Sequence, residues 1–393
     1  MEEFTITQSR KNNEHSKKFN CESILQIIRS RKDNKKAKIR WNWSEITDKY
    51  IFFSAEQRER FCEYALIATK KATKKPVISS EELDIFIGTW NMGEAAPPEN
   101  IETWIPKDKH DIYVISTQEC EYPPRRGLNS CETDWFDCLT THLGKNYIKL
   151  SGLSLLSIRL VIFIRRDHFY KISYLEQDTV ATGIGGVIGN KGGVLVSFKY
   201  LDTSFCFIGS HLAARQKEIE NRNANYRDII KSNKIGIKGL DIANQFDYLF
   251  WCGDLNYRID MERSQVLNLI TEKQYSKLLE YDQLNIQRNA GNAFYGFNEA
   301  TITFQPTYRY NRGDRTYSDE KMRTPSWCDR ILFKTKTNST SLSQLTYSSV
   351  DDLTTSDHSP VNATFIVKTH LESIPHIPTP CKIVISNLRY VYM

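Results

Sequence analysis

The chain has 393 residues, of which 40% are apolar and 25% charged, with a formal net charge of +6. That suffices for one large domain and a smaller segment; the sequence holds neither a run of about 18 apolar residues to span a bilayer nor a signal-peptide-like apolar start. The nine cysteines stand as singles without C-x-x-C spacing, which argues against a structural zinc site or a disulfide framework and leads us to expect reduced thiols in the cytosol.

The first 80 residues differ from the rest. Ser23–Arg29 is a short apolar run, and Tyr50–Ser54 reads as a strand. Ala55–Thr69 has helical spacing at Phe61, Leu66 and Ala68 behind a cap at Ser54. Basic runs at Arg29–Arg40 and Lys70–Pro76 suit a solvated linker, or attraction to an anionic membrane at about 1 kcal/mol per basic residue. Nucleic acid would attract the same charge, so charge alone does not choose.

From Leu83 the pattern becomes strand-rich. Short runs with β-branched and aromatic residues occur at Ile85–Trp90, Ile112–Ser116, Arg159–Ile164, Gly193–Phe198, Ser204–Ser210, Asp247–Cys252, Arg330–Lys334 and Asn362–Val367. Helices are predicted at about Glu218–Ser232 and Ser264–Leu284. After Pro375, Pro378 and Pro380 a further strand-like run, CKIVISNLRYVYM, closes the chain.

Several runs end in polar groups: Asn91 after the first, Thr117-Gln118-Glu119 after the second, His211, and Asp254 with Asn256. Asp329 opens a strand, and Ser356-Asp357-His358 precedes the last one. Strand ends aim ligands into a common crevice. Singly, each has an ordinary explanation as a turn residue or a satisfied core histidine. Together they offer oxygen ligands for a hard cation, a carboxylate to orient water, and histidines with carboxylate partners. Mg²⁺ suits this set, taking Asn91 and Glu119 and bridging to a phosphate. No HxH or HxxxH spacing supports zinc.

Two C-x₅-R spacings, at Cys120–Arg126 and Cys252–Arg258, raise a thiolate alternative. Pro123 and Pro124 deprive the first of N–H donors, and Asp254 inside the second would repel both thiolate and phosphate. Gly183–Gly193 is neither a P-loop nor a dinucleotide loop. It reads as a flexible hairpin, or as a loop that brings backbone and Lys191 to a phosphate.

The segments TWNMG (Thr89–Gly93), TQE (Thr117–Glu119), GNKGG (Gly189–Gly193), SHL (Ser210–Leu212), RNANY (Arg222–Tyr226), WCGDLNYRID (Trp251–Asp260), PSWCDRIL (Pro325–Leu332) and SDHSPV (Ser356–Val361) resemble, in order, the inositol polyphosphate 5-phosphatase family. The likeness covers Leu83–Thr369 and is greatest to the SHIP-type phosphatidylinositol 3,4,5-trisphosphate 5-phosphatases. It implies a four-layer αββα sandwich of the DNase I-like, endonuclease-exonuclease-phosphatase fold, an α/β class. Residues 1–80 resemble a partial pleckstrin-homology-like segment with a basic linker, residues 83–369 the catalytic domain, and residues 370–393 the start of a truncated lipid-binding β-sandwich.

By matching motifs, the resemblance implies Mg²⁺ held by Asn91 and Glu119, and water oriented or deprotonated by Asp254 with Asn256 beside it. His358 paired with Asp329, together with His211, would contact the reacting phosphate, and Asp357 would complete the network. Asn190, Lys191, Tyr226, Arg227, Lys321 and Arg323 would read the head group, and Ile184, Val187 and Ile188 would dip into lipid. Arg227 stands where SHIP-type sequences often carry an uncharged residue. The implied reaction is removal of the 5-phosphate from phosphatidylinositol 3,4,5-trisphosphate at the cytosolic membrane surface by a peripherally recruited protein. The alternatives are a 5-phosphatase for phosphatidylinositol 4,5-bisphosphate or soluble inositol polyphosphates, a nuclease of the same fold, and a non-catalytic phosphoinositide scaffold. No nucleic-acid partner is expected.

Overall fold

The computed structural model describes residues 3–10, 13–20, 24–29, 35–41, 47–52, 54–55, 57–58, 61–62, 77–182, 191–232, 234–237, 241–336, 342–372, 382–385 and 389–390. At the N-terminus lie β1 (Glu3–Arg10), β2 (Asn13–Asn20), β3 (Ile24–Arg29), β4 (Lys36–Trp41) and β5 (Thr47–Ile51). They form two small sheets with the C-terminal β17 (Lys382–Ile385) and β18 (Arg389–Tyr390), in the orders β17-β1-β2 and β18-β5-β4-β3. Ala55, Gln57, Arg58, Phe61 and Cys62 are helical, as predicted there.

Between these flanks stand β6 (Val77–Asn91), β7 (Ile112–Gln118), β8 (Tyr147–Leu155), β9 (Ile158–Arg165), β10 (Ile172–Ala181), β11 (Gly192–Tyr200), β12 (Thr203–His211), β13 (Tyr248–Asp254), β14 (Asp329–Thr335), β15 (Leu342–Ser349) and β16 (Val361–Glu372). One sheet runs β15-β16-β6-β7-β9-β8 and the other β10-β11-β12-β13-β14. The period of two along each strand explains why they stack. Ile85 and Ile87 join the core between the sheets, whereas Phe86 faces outward. Phe205 and Phe207 point inward while Cys206 and Ile208 point away. Each fully buried apolar side chain of this kind contributes about 1.5–3 kcal/mol.

Helices cover the outer faces. On the six-stranded side, α1 (Cys131–Leu143) packs Trp135 and Leu139 against Phe86, Tyr113 and Ile115. Ser130 caps it, its hydroxyl accepting from Thr133 N at 3.2 Å, worth about 1 kcal/mol. The remaining helices are α2 (Ile219–Ile229), α3 (Arg263–Thr271), α4 (Tyr275–Leu279) and α5 (Gln283–Asn289); α2 and α5 pack Ile229 and Leu284 with Ile208 and Trp251 on the outer face of the other sheet, whereas α3 and α4 add Val266, Ile270 and Leu278 to the core between the sheets. The predicted four-layer sandwich is therefore present. The continuous helix expected at 264–284 is divided: Lys273 takes φ +54°, which ends α3, and α5 starts only at Gln283. Sequence reading also passed over α1, β8, β10 and β15. The three strands are largely solvent-accessible and lack the dense apolar run that marks a buried strand.

The topology fixes where chemistry can occur. Each sheet has a parallel central pair, β6 with β7 and β12 with β13. In register, Asn91 lies opposite Gln118 and His211 opposite Asp254. Antiparallel β14 begins at the same end, with Asp329 opposite Asp254, and β16 begins beside Thr89. Four strand ends and two strand starts thus meet at one end of the sandwich.

Candidate active site

A cleft of about 640 Å³ opens at that end, lined among others by Asn91, Glu119, His211, Asp254, Asn256 and His358. Asp254 stands at its centre. Its Oδ2 accepts from Asn91 Nδ2 at 2.9 Å and lies 3.2 Å from His211 Nε2. Its Oδ1 accepts the Asn256 backbone N–H at 3.0 Å. Asn256 takes φ +56°, a conformation asparagine tolerates better than most residues, and this turns its amide back toward Asp254.

His358 Nδ1 sits 2.9 Å from Asp329 Oδ2, which also accepts from Thr307 Oγ1 at 2.7 Å. Ligand atoms of Asp254, Asp329 and His358 lie within 4.8 Å of one another, and all three residues are buried. Ser356 ties the loop before β16 to the end of β6: its hydroxyl donates to Asn91 O at 2.7 Å and accepts the His358 N–H at 3.1 Å. The Trp90 indole N–H donates to His358 O at 3.0 Å.

Burial and charge set the protonation states in opposite directions. Burial opposes charge on Asp254, but His211, His358 and Lys191 outweigh it and hold the carboxyl well below the usual carboxylate range. Burial would also neutralise His358, yet the Asp329 carboxylate raises it to about 9, so it is an imidazolium at neutral pH. Burial pushes His211 down, and Lys191, with Nζ 2.6 Å from His211 Nε2, pushes it further. The site therefore pairs one neutral histidine with one charged one around an ionised carboxylate.

Comparison with known proteins gives this arrangement a context. The profile of Endonuclease/Exonuclease/phosphatase family 2 matches residues 88–364. The inositol polyphosphate 5-phosphatase domain of SPsynaptojanin, solved with inositol (1,4)-bisphosphate and calcium, superposes with a TM-score of 0.66 and 31% identity, covering 79% of this chain and 90% of that one. This chain belongs to the inositol polyphosphate 5-phosphatase family. Among curated 5-phosphatases, it is 36% identical over 92% of its length to phosphatidylinositol 3,4,5-trisphosphate 5-phosphatase 2 of Sus scrofa. It is 37% identical over 92% to phosphatidylinositol 3,4,5-trisphosphate 5-phosphatase 1 of Xenopus laevis. The chain spans 30% and 38% of those two relatives, so their whole architecture does not transfer. A Cimex nitrophorin, solved as a ferrous NO complex, shares the fold at TM-score 0.60 and 24% identity. Fold by itself thus leaves function open, and the site residues carry the argument.

Most residues expected of a 5-phosphatase site meet in the cleft: Asn91, Glu119, His211, Asp254, Asn256, Lys321, Arg323, Asp357 and His358 all line it. Asp329 lies behind His358 as its partner. Asp357 Oδ2 accepts from Arg309 Nε at 2.9 Å, so part of its charge is already matched. Lys191 reaches the site through His211. Asn190, Ile184, Val187 and Ile188 lie outside the described residues. Tyr226 and Arg227 are not among the described residues lining this cleft. The helical turn of α2 sends the Tyr226 ring into the aromatic core, 4.3 Å from Phe294 and 5.4 Å from Trp251 between centroids.

Sequence reading missed Arg258 and Tyr308. Arg258 is buried in the cleft wall with its Nε donating to Asn256 O at 3.1 Å, and its guanidinium lies 4.5 Å from the Tyr308 ring centre. The Tyr308 ring also packs 4.3 Å from the His358 imidazole. Arg258 sits in the GDLNYRID run but was weighed only as the arginine of a thiolate cradle. Tyr308 falls in the run ITFQPTYRY (Ile302–Tyr310), which shares the SHIP-type likeness, but that likeness assigns it no role.

The donor set fits a hard divalent cation. Asn91 Oδ1 is held by the Gly93 N–H at 3.0 Å, and a carbonyl oxygen keeps a second lone pair for an ion. The Glu119 carboxylate is about one-third exposed, and its Oε1 lies 3.9 Å from His211 Nε2. Two protein oxygens with space for water match the ligation of Mg²⁺. Asp329 and His358 are less suited, because each spends a ligand atom on the other.

Proposed function

We propose that this domain is an Mg²⁺-dependent phosphoinositide 5-phosphatase that converts phosphatidylinositol 3,4,5-trisphosphate into phosphatidylinositol 3,4-bisphosphate. The observation that carries the reading is an ionised Asp254 and an imidazolium His358 facing one cleft with a basic rim. The printed names of the relatives support the lipid substrate, and the inositol bisphosphate bound by the SPsynaptojanin domain supports the ring.

Asn91 and Glu119 would hold the cation, which when bound supplies charge neutralisation at the phosphate. Asp254 accepts a hydrogen bond from the attacking water. Because its pKa is held low, it is better suited to orienting that water than to removing its proton outright. The water oxygen bonds to phosphorus as the bond from phosphorus to the ring 5-oxygen breaks. His358 binds a phosphate oxygen through charge and hydrogen bond, and its proton is available to the departing ring oxygen. The Asn256 side chain, fixed by donating to Leu212 O at 3.1 Å, lies beside the reacting group. No covalent enzyme intermediate forms, so positioning and electrostatics supply the rate.

The test is phosphate release from vesicles carrying each 5-phosphorylated phosphoinositide, with soluble inositol phosphates and abasic duplex DNA in parallel. Activity on the trisphosphate lipid should disappear in EDTA and return with Mg²⁺. Cleavage of DNA with no phosphate released from lipid would refute the reading.

A further inference from the structure

The rim loop that carries Lys321 and Arg323 is held in place by residues with no assigned role. Lys321 and Met322 both take left-handed backbone, φ +57° and +46°, which neither residue adopts readily. Such a loop keeps its shape only if its surroundings impose it. Arg263, at the start of α3, supplies most of the constraint: its Nη2 donates to Ser318 O at 3.1 Å and to Asp319 Oδ1 at 2.8 Å, and its Nε donates to Arg323 O at 3.2 Å. One planar guanidinium thereby grips both ends of the loop. Arg309 grips the middle, with Nη2 2.7 Å from Glu320 Oε2 and Nε on Asp357.

Resting on the phosphatase reading above, we propose that Arg263 is a positioning residue for affinity. It holds the 318–323 loop so that the Lys321 and Arg323 cations face ring phosphates other than the one being cleaved. It stands outside the Asp254, Asp329 and His358 cluster, so its effect falls on binding and not on the chemical step. Lysine cannot replace it, because three bonds in two directions need the rigid fork of arginine.

The experiment compares wild type with Arg263→Gln, Arg263→Lys and the surface variant Asp319→Asn, using inositol 1,4,5-trisphosphate and inositol 5-monophosphate. For the trisphosphate, Arg263→Gln should raise KM about fivefold to tenfold with kcat changed less than twofold. Arg263→Lys should behave like Gln, and Asp319→Asn should shift KM the same way by a smaller factor. The monophosphate, lacking other ring phosphates, should show no KM change. In a Lys321→Ala/Arg323→Ala background, Arg263→Gln should add nothing further. Loss of kcat at constant KM, full additivity in that background, or an equal KM change for both substrates would overturn the proposal. If wild type releases no phosphate from either compound or from vesicles of the trisphosphate lipid, the phosphatase reading fails. The Arg263 proposal is then decided by calorimetric binding of inositol 1,4,5-trisphosphate, and an Arg263→Gln affinity equal to wild type overturns it.

Discussion

Replacing Asp329 by asparagine keeps the shape of the His358 partner and removes only its charge. The Asp329 carboxylate raises His358 from 6.5 to about 9, a preference for the imidazolium on the order of 3 kcal/mol. Both side chains are almost wholly buried, so solvent screens little of this. Without the carboxylate, burial is opposed only by the weaker pull of Asp254 and Asp357, and the pKa of the ring drops. At neutral pH the variant should then present a neutral imidazole to the substrate phosphate, and kcat should fall about 10²–10³-fold. The basic limb of the kcat–pH profile should move from near 9 to below 7. A second readout is stability without metal. Because the folded-state pKa of His358 is raised, its stabilising contribution is complete below pH 6.5 and fades as pH rises through about 9. Urea unfolding in EDTA should therefore show the stability gap between wild type and Asp329→Asn narrowing between pH 6.5 and 9. A variant within threefold of wild-type kcat, with its basic limb still near 9, would refute the reasoning.

Three further outcomes follow from the same geometry. Cys252→Ser should keep kcat within threefold of wild type in phosphate-release assays, because burial pushes that thiol up to about 12 and its Sγ donates to Ile208 O at 3.6 Å inside the sheet. Gly253→Ala should destabilise the domain by more than about 2 kcal/mol in urea unfolding, since Gly253 takes φ +143° and an added Cβ would stand 2.0 Å from Ser210 O. Activity should fall as well, because the displaced backbone carries Asp254. Arg330→Leu should cost about 3–5 kcal/mol by the same measurement: Arg330 is fully buried between Asp282, at 3.0 Å, and Glu299, at 2.6 Å, and its loss strands the buried Asp282 carboxylate and leaves Glu299 to Arg288 at 3.3 Å.

The sequence by itself determined the sandwich and most of the cleft. Short dense runs of apolar, β-branched and aromatic residues marked the central strands, because a strand buried on both faces carries apolar side chains at successive positions, as in Ile85–Trp90 and Asp247–Cys252. Polar groups directly after those strands, Asn91, Glu119, His211 and Asp254, were legible because a strand end fixes where the next side chain stands. Tertiary structure alone decided what those groups are to one another. Asp254 gains its low pKa from His211 at the end of β12 and His358 in the loop before β16, and His358 gains its high one from Asp329, 29 residues earlier. Tyr226 left the cleft because a helix turn, invisible in a motif match, directed it into the core. Arg258, Tyr308 and Arg263 were missed for the same physical reason. Their roles consist of a ring stacked on an imidazole, a guanidinium over that ring, and a grip on a loop some 60 residues away, and such contacts exist only after the chain has folded.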